Sequence, residues 1–132
     1  MATPSLDAIG IVVSDMAAAL KFYRLLGLDL PSRVKAGEDH VEAKTSGGIR
    51  VMLDTEELIK KFTPRWTQPK GQRIALAFLC ASPKEVDKTY AKIVKAGFRG
   101  AKEPWDAFWG QRYAQVLDPD GNKVDLFAPL GV

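Results

Sequence analysis

A chain of 132 residues with 46% hydrophobic and 27% charged residues has the length and composition of one globular domain. Its net charge of +3 is modest, and its 19 lysines and arginines are scattered apart from Lys60-Lys61 and residues 65–73, so no nucleic-acid partner is expected. No apolar run is long enough to span a bilayer, and one histidine (His40) with one cysteine (Cys80) excludes an internal disulfide and starves any histidine-rich metal centre.

The N-terminal stretch Met-Ala-Thr-Pro-Ser-Leu-Asp has neither the basic flank nor the apolar core of a secretory signal, so a cytoplasmic protein is expected. Residues 6–13 form a β-branched run that reads as a strand. Asp15 then caps a helix carrying Met16, Leu20 and Tyr23 on one face and stopping at Gly27. Strands are predicted at 28–33, 41–45 and 49–54. The linker after them holds a short helix, with Asp54 as cap and Glu57 three residues on, then a looser tail containing Pro64, Trp66 and Pro69.

A second strand–helix unit opens at 73–80. Ser82, Pro83 and Glu85 make a capping box with proline at the first helical position, and the apolar face Val86, Tyr90, Ile93 ends at Gly97. Strands are predicted at 99–102, 112–117 and 123–128, the last two joined by the turn Asp118-Pro119-Asp120-Gly121-Asn122. Helix positions 16, 20, 23 and 27 recur at 86, 90, 93 and 97 with the terminal glycine shared, which points to a duplication. The expected organisation is one α+β domain over 1–132, built of two tandem βαβββ modules at about 5–54 and 71–129 with a linker at 55–70.

The run Ile9-Gly10-Ile11-Val12-Val13-Ser14-Asp15-Met16, then Phe22-Tyr23 and Leu26-Gly27-Leu28, resembles the opening of the vicinal oxygen chelate superfamily. That superfamily contains glyoxalases, extradiol dioxygenases, fosfomycin-resistance enzymes and bleomycin-resistance binding proteins. The closing run Asp118 to Leu126 resembles its second signature, and Trp109-Gly110-Gln111-Arg112 resembles a stretch of its drug-binding branch. The resemblance covers essentially the whole chain. It implies that the modules curve into a half-open mixed sheet and that two copies form a homodimer. In the metalloenzymes of the group the ligand positions correspond to Ala8, Met52, Arg73 and Asp125. Only Asp125 could bind a cation, and Arg73 would repel one, so a metal-dependent glyoxalase or dioxygenase is rejected and no cofactor is expected.

Strand alternation extends those positions into one face: Leu6, Ala8, Gly10, Val12; Arg50, Met52, Asp54; Gly71, Arg73, Ala75, Ala77; and Lys123, Asp125, Phe127. The other face is large and apolar, comprising Ile9, Ile11, Val13, Val51, Leu53, Ile74, Leu76, Phe78, Val124 and Leu126, and suits packing beneath the helices. The small residues Ala8, Gly10, Ala75 and Ala77 leave a floor for an occupant, or mark a place where a loop or a partner subunit approaches. Trp105, Phe108 and Trp109 fall in a predicted loop followed by Tyr113, while Trp66 and Phe62 lie in the linker. Each is core, interface or stacking surface. The resemblance favours stacking, with Trp109 first.

Arg50 and Arg73 can either pair with Asp54 or Asp125 as structural ion pairs or orient a ligand oxygen. His40 and Glu42 are polar candidates, and Cys80 reads as a packed residue. The expected function is metal-free binding and sequestration of a hydrophobic, planar aromatic natural product, as antibiotic self-resistance. The alternative is a metal-independent isomerase, lyase or cyclase that uses Asp125, Glu42 or His40 as a general base.

Overall fold

Both long helices end by the same mechanism, which exposes the duplication more sharply than their apolar faces do. The first, α1 (Met16–Leu25), is capped by the Asp15 carboxylate accepting from the Ala18 amide at 3.1 Å. It stops where Gly27 adopts φ +90, with Gly27 N–H donating to the Arg24 carbonyl and Leu28 N–H to the Tyr23 carbonyl. In the equivalent place Gly97 adopts φ +102, with Gly97 N–H donating to Val94 and Phe98 N–H to Ile93. Both are Schellman stops, which need a left-handed residue and therefore glycine.

The computed structural model describes residues 3–131. The chain divides between Gln68 and Pro69 into two compact units. In the first, β1 (Ala8–Val13) leads to α1, then to β2 (His40–Lys44), β3 (Arg50–Thr55) and α2 (Glu56–Phe62). Its sheet has the order β1-β3-β2, with β1 parallel and β2 antiparallel to β3. The second unit runs β4 (Leu76–Leu79), α3 (Pro83–Lys95), β5 (Arg99–Ala107), β6 (Gln111–Leu117) and β7 (Lys123–Pro129). Its sheet order is β4-β7-β6-β5, with β4 parallel to β7. So β4, α3, β6 and β7 repeat β1, α1, β2 and β3 in connection and direction. The α+β fold of two repeated units is present, in two mixed and unclosed sheets.

Each unit buries one face of its sheet under its helix. Met16, Ala19, Leu20, Phe22 and Tyr23 of α1 are buried, as are Val13, Val41, Ala43, Val51 and Leu53 of the strands. In the second unit Val86 and Ile93 of α3 are buried with Ala114, Val116, Val124, Leu126 and Ala128. Complete burial of one such aliphatic or aromatic side chain stabilises by roughly 1.5–3 kcal/mol. Arg112 fastens α3 to the strands by a two-pronged pair with Asp87 at 2.9 and 3.1 Å and a further bond to Asp106 at 3.0 Å. The predicted turn forms around the buried Asp118, whose carboxylate accepts from the Asp120 and Asn122 amides and from Asn122 Nδ2.

Four expectations need correction. No strand forms over residues 28–33: the Leu28 amide serves the helix stop and Leu30 N–H turns back to the Leu28 carbonyl, so the first unit lacks a counterpart of β5. The cap of α2 is Thr55, not Asp54, because the Thr55 hydroxyl accepts from Leu58 N–H while Asp54 is engaged by His40. β4 starts at Leu76 rather than 73, since the Gln72 side chain takes up the neighbouring ladder groups, donating to the Ile74 and Lys123 carbonyls and accepting from Lys123 N–H. Ile74, expected beneath a helix, is therefore 77% exposed. Finally β5 extends to Ala107, so Trp105 is a strand residue; register shifts on either side of Lys102 accommodate Pro104 in the strand.

Candidate functional site

In the second unit the sheet face turned away from α3 carries two parallel rows of side chains. Register pairs Leu79 with Phe127, Phe127 with Tyr113, and Tyr113 with Trp105. One step along, Ala77 pairs with Asp125, Asp125 with Gln115, and Gln115 with Lys102. An apolar, mainly aromatic row thus lies beside a polar one. The strand period of two is what sorts them.

The tight turn between β5 and β6 folds Phe108 and Trp109 over the aromatic row. Gly110 permits that turn with φ +93. Trp109 meets Trp105, Phe108 and Tyr113 edge-to-face, with centroids 5.6, 4.9 and 5.2 Å apart. Its indole N–H donates to Gln111 Oε1 at 2.7 Å, which fixes the ring while 49% of the residue stays exposed. Tyr113 and Phe127 lie more nearly parallel, at 29° and 6.3 Å. The Lys102 ammonium stands 4.9 Å from the Trp105 ring centre, a cation–π contact.

Beneath the rings the Asp125 carboxylate is nearly buried, accepting from Tyr113 O–H at 2.5 Å and from Gln115 Nε2 at 2.9 Å. Burial, and then the bond to Asp125, push the Tyr113 phenol up to about 12. The phenol is therefore a proton donor to Asp125 at any physiological pH.

The first unit offers a different, ionic face. Opposite α1 its register places Ala8, Arg50 and Lys44 in one row, Gly10, Met52 and Glu42 in the next, and Val12, Asp54 and His40 in the third. His40 is held between two carboxylates, with Nδ1 at 2.5 Å from Asp54 and Nε2 at 2.8 Å from Glu42. Arg50 continues the chain to Glu42 at 2.8 Å and to Asp7 at 2.6 Å. The hydrogen bonds to Asp54 and then Glu42 raise the His40 pKa, and His40 and Arg50 lower that of Glu42. The stability that His40 adds is complete below its ordinary value of 6.5 and is lost as pH rises through the raised folded value. Because the chain has one histidine, one imidazole C2 proton reports it. An NMR titration is expected to give a midpoint above 6.5, and a midpoint at or below 6.5 would contradict the ion pairs.

The remaining sequence candidates separate from these two faces. Arg73 and Ala75 precede β4 and are exposed, and no hydrogen bond or ion pair engages Arg73 among the described residues. The expected pairing of Arg50 or Arg73 with Asp54 or Asp125 does not occur, because each acid is taken by a nearer strand neighbour. Phe62, at the end of α2, is 64% exposed, and Trp66 is half-buried with Lys60 5.7 Å from its ring centre. The Cys80 thiol is pushed up by burial. An open depression of about 490 Å³ lies elsewhere in the first unit, between the start of α1 and residues 34–39, and holds none of the candidates. Sequence reasoning missed Gln115 and Gln111, although two-residue steps from Tyr113 along β6 reach both.

The donor set does not fit the metal of the resembling metalloenzymes. Ala8 and Met52 bring no hard ligand, Arg73 brings a positive charge, and both Asp125 oxygens accept protein hydrogen bonds. The carboxylates on His40 sit at opposite ring nitrogens, so they do not converge with it on a point. Among the described residues no group of three or more His, Cys, Asp or Glu side chains could hold a metal ion. No helix among them is long and apolar enough to cross a membrane.

The sequence model of the Glyoxalase/Bleomycin resistance protein/Dioxygenase superfamily matches residues 5–126. A glyoxalase/bleomycin resistance protein/dioxygenase from Nocardioides is 27% identical with a TM-score of 0.73, over 98% of this chain and 86% of that one. A family enzyme of the same description from Burkholderia phytofirmans PsJN is 20% identical with a TM-score of 0.82, over 96% of this chain and 100% of that one. TioX from Micromonospora sp. ML1 is 20% identical with a TM-score of 0.64, over 96% of this chain and 100% of that one. No curated protein matches the sequence.

Proposed function

This chain belongs to the glyoxalase/bleomycin resistance protein/dioxygenase superfamily, and we propose that within it the chain is a metal-free binding protein for a hydrophobic, planar aromatic small molecule. The observation that carries the reading is the aromatic face of the second unit, where Trp109 is held in place by Gln111 and three rings yet stays half exposed. A fixed aromatic surface loses little freedom when a planar guest stacks on it, so more of the burial energy appears as affinity. The stacking residues are Trp109, Trp105, Phe108, Tyr113 and Phe127, with Asp125 beneath them. The role is sequestration: a natural-product antibiotic held this way is withdrawn from its target with no bond broken. The protein works as a homodimer.

The other reading, metal-free catalysis, has one observation in its favour, the His40 imidazole between Asp54 and Glu42. An imidazolium so placed is a proton donor in waiting, but both of its ring nitrogens are already engaged.

The test is a titration of intrinsic tryptophan fluorescence with 1-hydroxypyrene in excess chelator, followed by denaturation and mass measurement of the recovered probe. Saturable quenching with the probe returned unchanged is expected. Absence of quenching would overturn binding, and an altered probe mass would overturn sequestration in favour of catalysis.

A further inference from the structure

We propose that the guest of the second unit's aromatic face is one that carries a hydrogen-bond donor, a phenolic O–H or an N–H, on the edge of its ring system, and that Asp125 with Tyr113 Oη receives it. This rests on the binding reading above and adds to it the chemistry of the guest's polar edge.

The argument is an inventory of donors and acceptors in the polar row. A carboxylate only accepts, and each Asp125 oxygen has taken one hydrogen bond, Oδ2 from Tyr113 and Oδ1 from Gln115. Each keeps further lone-pair capacity. The single Tyr113 hydroxyl proton is committed to Asp125, so towards any third group Tyr113 Oη can only accept. With its phenol raised to about 12, that proton stays in place. Gln115 contributes one more acceptor, Oε1, and one uncommitted N–H. Acceptors therefore outnumber donors at this spot.

Access comes from the neighbouring strand. Ala77 pairs with Asp125 across the β4–β7 ladder, is exposed, and projects only a methyl group beside the carboxylate. On the same strand Leu79, 69% exposed, pairs with Phe127 in the aromatic row. A flat guest lying along that row presents its edge over the polar row. A donor on that edge meets lone pairs; an ether, carbonyl or carboxylate meets them too, and is left unpaired or repelled. The site thus selects by a mismatch penalty as much as by a bond formed. Lys102 marks the far end of the polar row, where its ammonium is drawn onto Trp105 rather than towards Asp125.

The test uses 1-hydroxypyrene and 1-methoxypyrene, which share a ring system and differ in the donor. Affinities are read from tryptophan quenching of the wild type, Asp125→Asn and Tyr113→Phe. The wild type is expected to prefer the hydroxyl probe about tenfold or more, the scale of a hydrogen bond to a charged group. Asp125→Asn is expected to lose that preference while still binding the methoxy probe, which shows that the variant is folded. Tyr113→Phe, which frees Asp125 Oδ2 and keeps the ring, is expected to keep or enlarge the preference. Equal binding of both probes by the wild type would overturn this proposal and leave the binding reading standing. Binding of neither probe would overturn both.

Discussion

Replacing Phe22 with alanine is expected to destabilise the first unit by about 3–5 kcal/mol, the usual cost of truncating a fully enclosed aromatic residue. Phe22 is 0% exposed and meets the Tyr23 ring edge-to-face at 4.9 Å, on the helix face that covers Val51 and Leu53. The three-stranded sheet of that unit has no strand at 28–33 to shelter the gap, so collapse around the missing ring is limited. Small domains have about 5–15 kcal/mol of stability in all, so the variant stands at the edge of unfolding. Urea denaturation checks it: the midpoint falls with an unchanged slope, and a loss below about 1 kcal/mol would show that Phe22 is not a keystone of this core.

Trp109→Ala is expected to weaken 1-hydroxypyrene binding by at least about 30-fold, in line with the 2 kcal/mol or more that marks an aromatic hot spot. The fold should survive, because the residue is half exposed and its indole bonds only the neighbouring Gln111. Far-UV circular dichroism and the urea midpoint should therefore match the wild type. Trp66→Phe, in the first unit, is expected to change the quenching amplitude and leave the affinity alone. If the alanine variant bound as tightly as the parent, the aromatic face of the second unit would not be the site.

Sequence periodicity located the helices because capping chemistry is local: Asp15, Ser82, Pro83, Gly27 and Gly97 act within a turn of their own positions. Strand extents were less legible. Whether residues 28–33 pair depends on a neighbour elsewhere in the chain, and Pro104 reads as a loop until bulges make room for it in β5. The ladder position filled by the Gln72 side chain leaves no pattern in sequence at all. Of the site, alternation found Asp125, Phe127, Met52 and Arg50, and the resemblance drew attention to Trp109. Neither revealed that Trp105 and Tyr113 share a register pair, or that Asp125 is bonded to Tyr113 and Gln115. Partner choice among charged groups was the hardest part. Asp54 and Glu42 take His40, and Asp7 takes Arg50, because strand register sets which side chains are adjacent.

Native mass spectrometry of the protein purified from its own host, in the presence of a chelator, is the most direct measurement of a metal-free organic guest. The expected spectrum shows each chain carrying the added mass of one organic compound, which is lost on Trp109→Ala. A spectrum in which the added mass is a stoichiometric divalent cation, or in which the host-derived protein carries nothing and binds no planar aromatic compound, would contradict it.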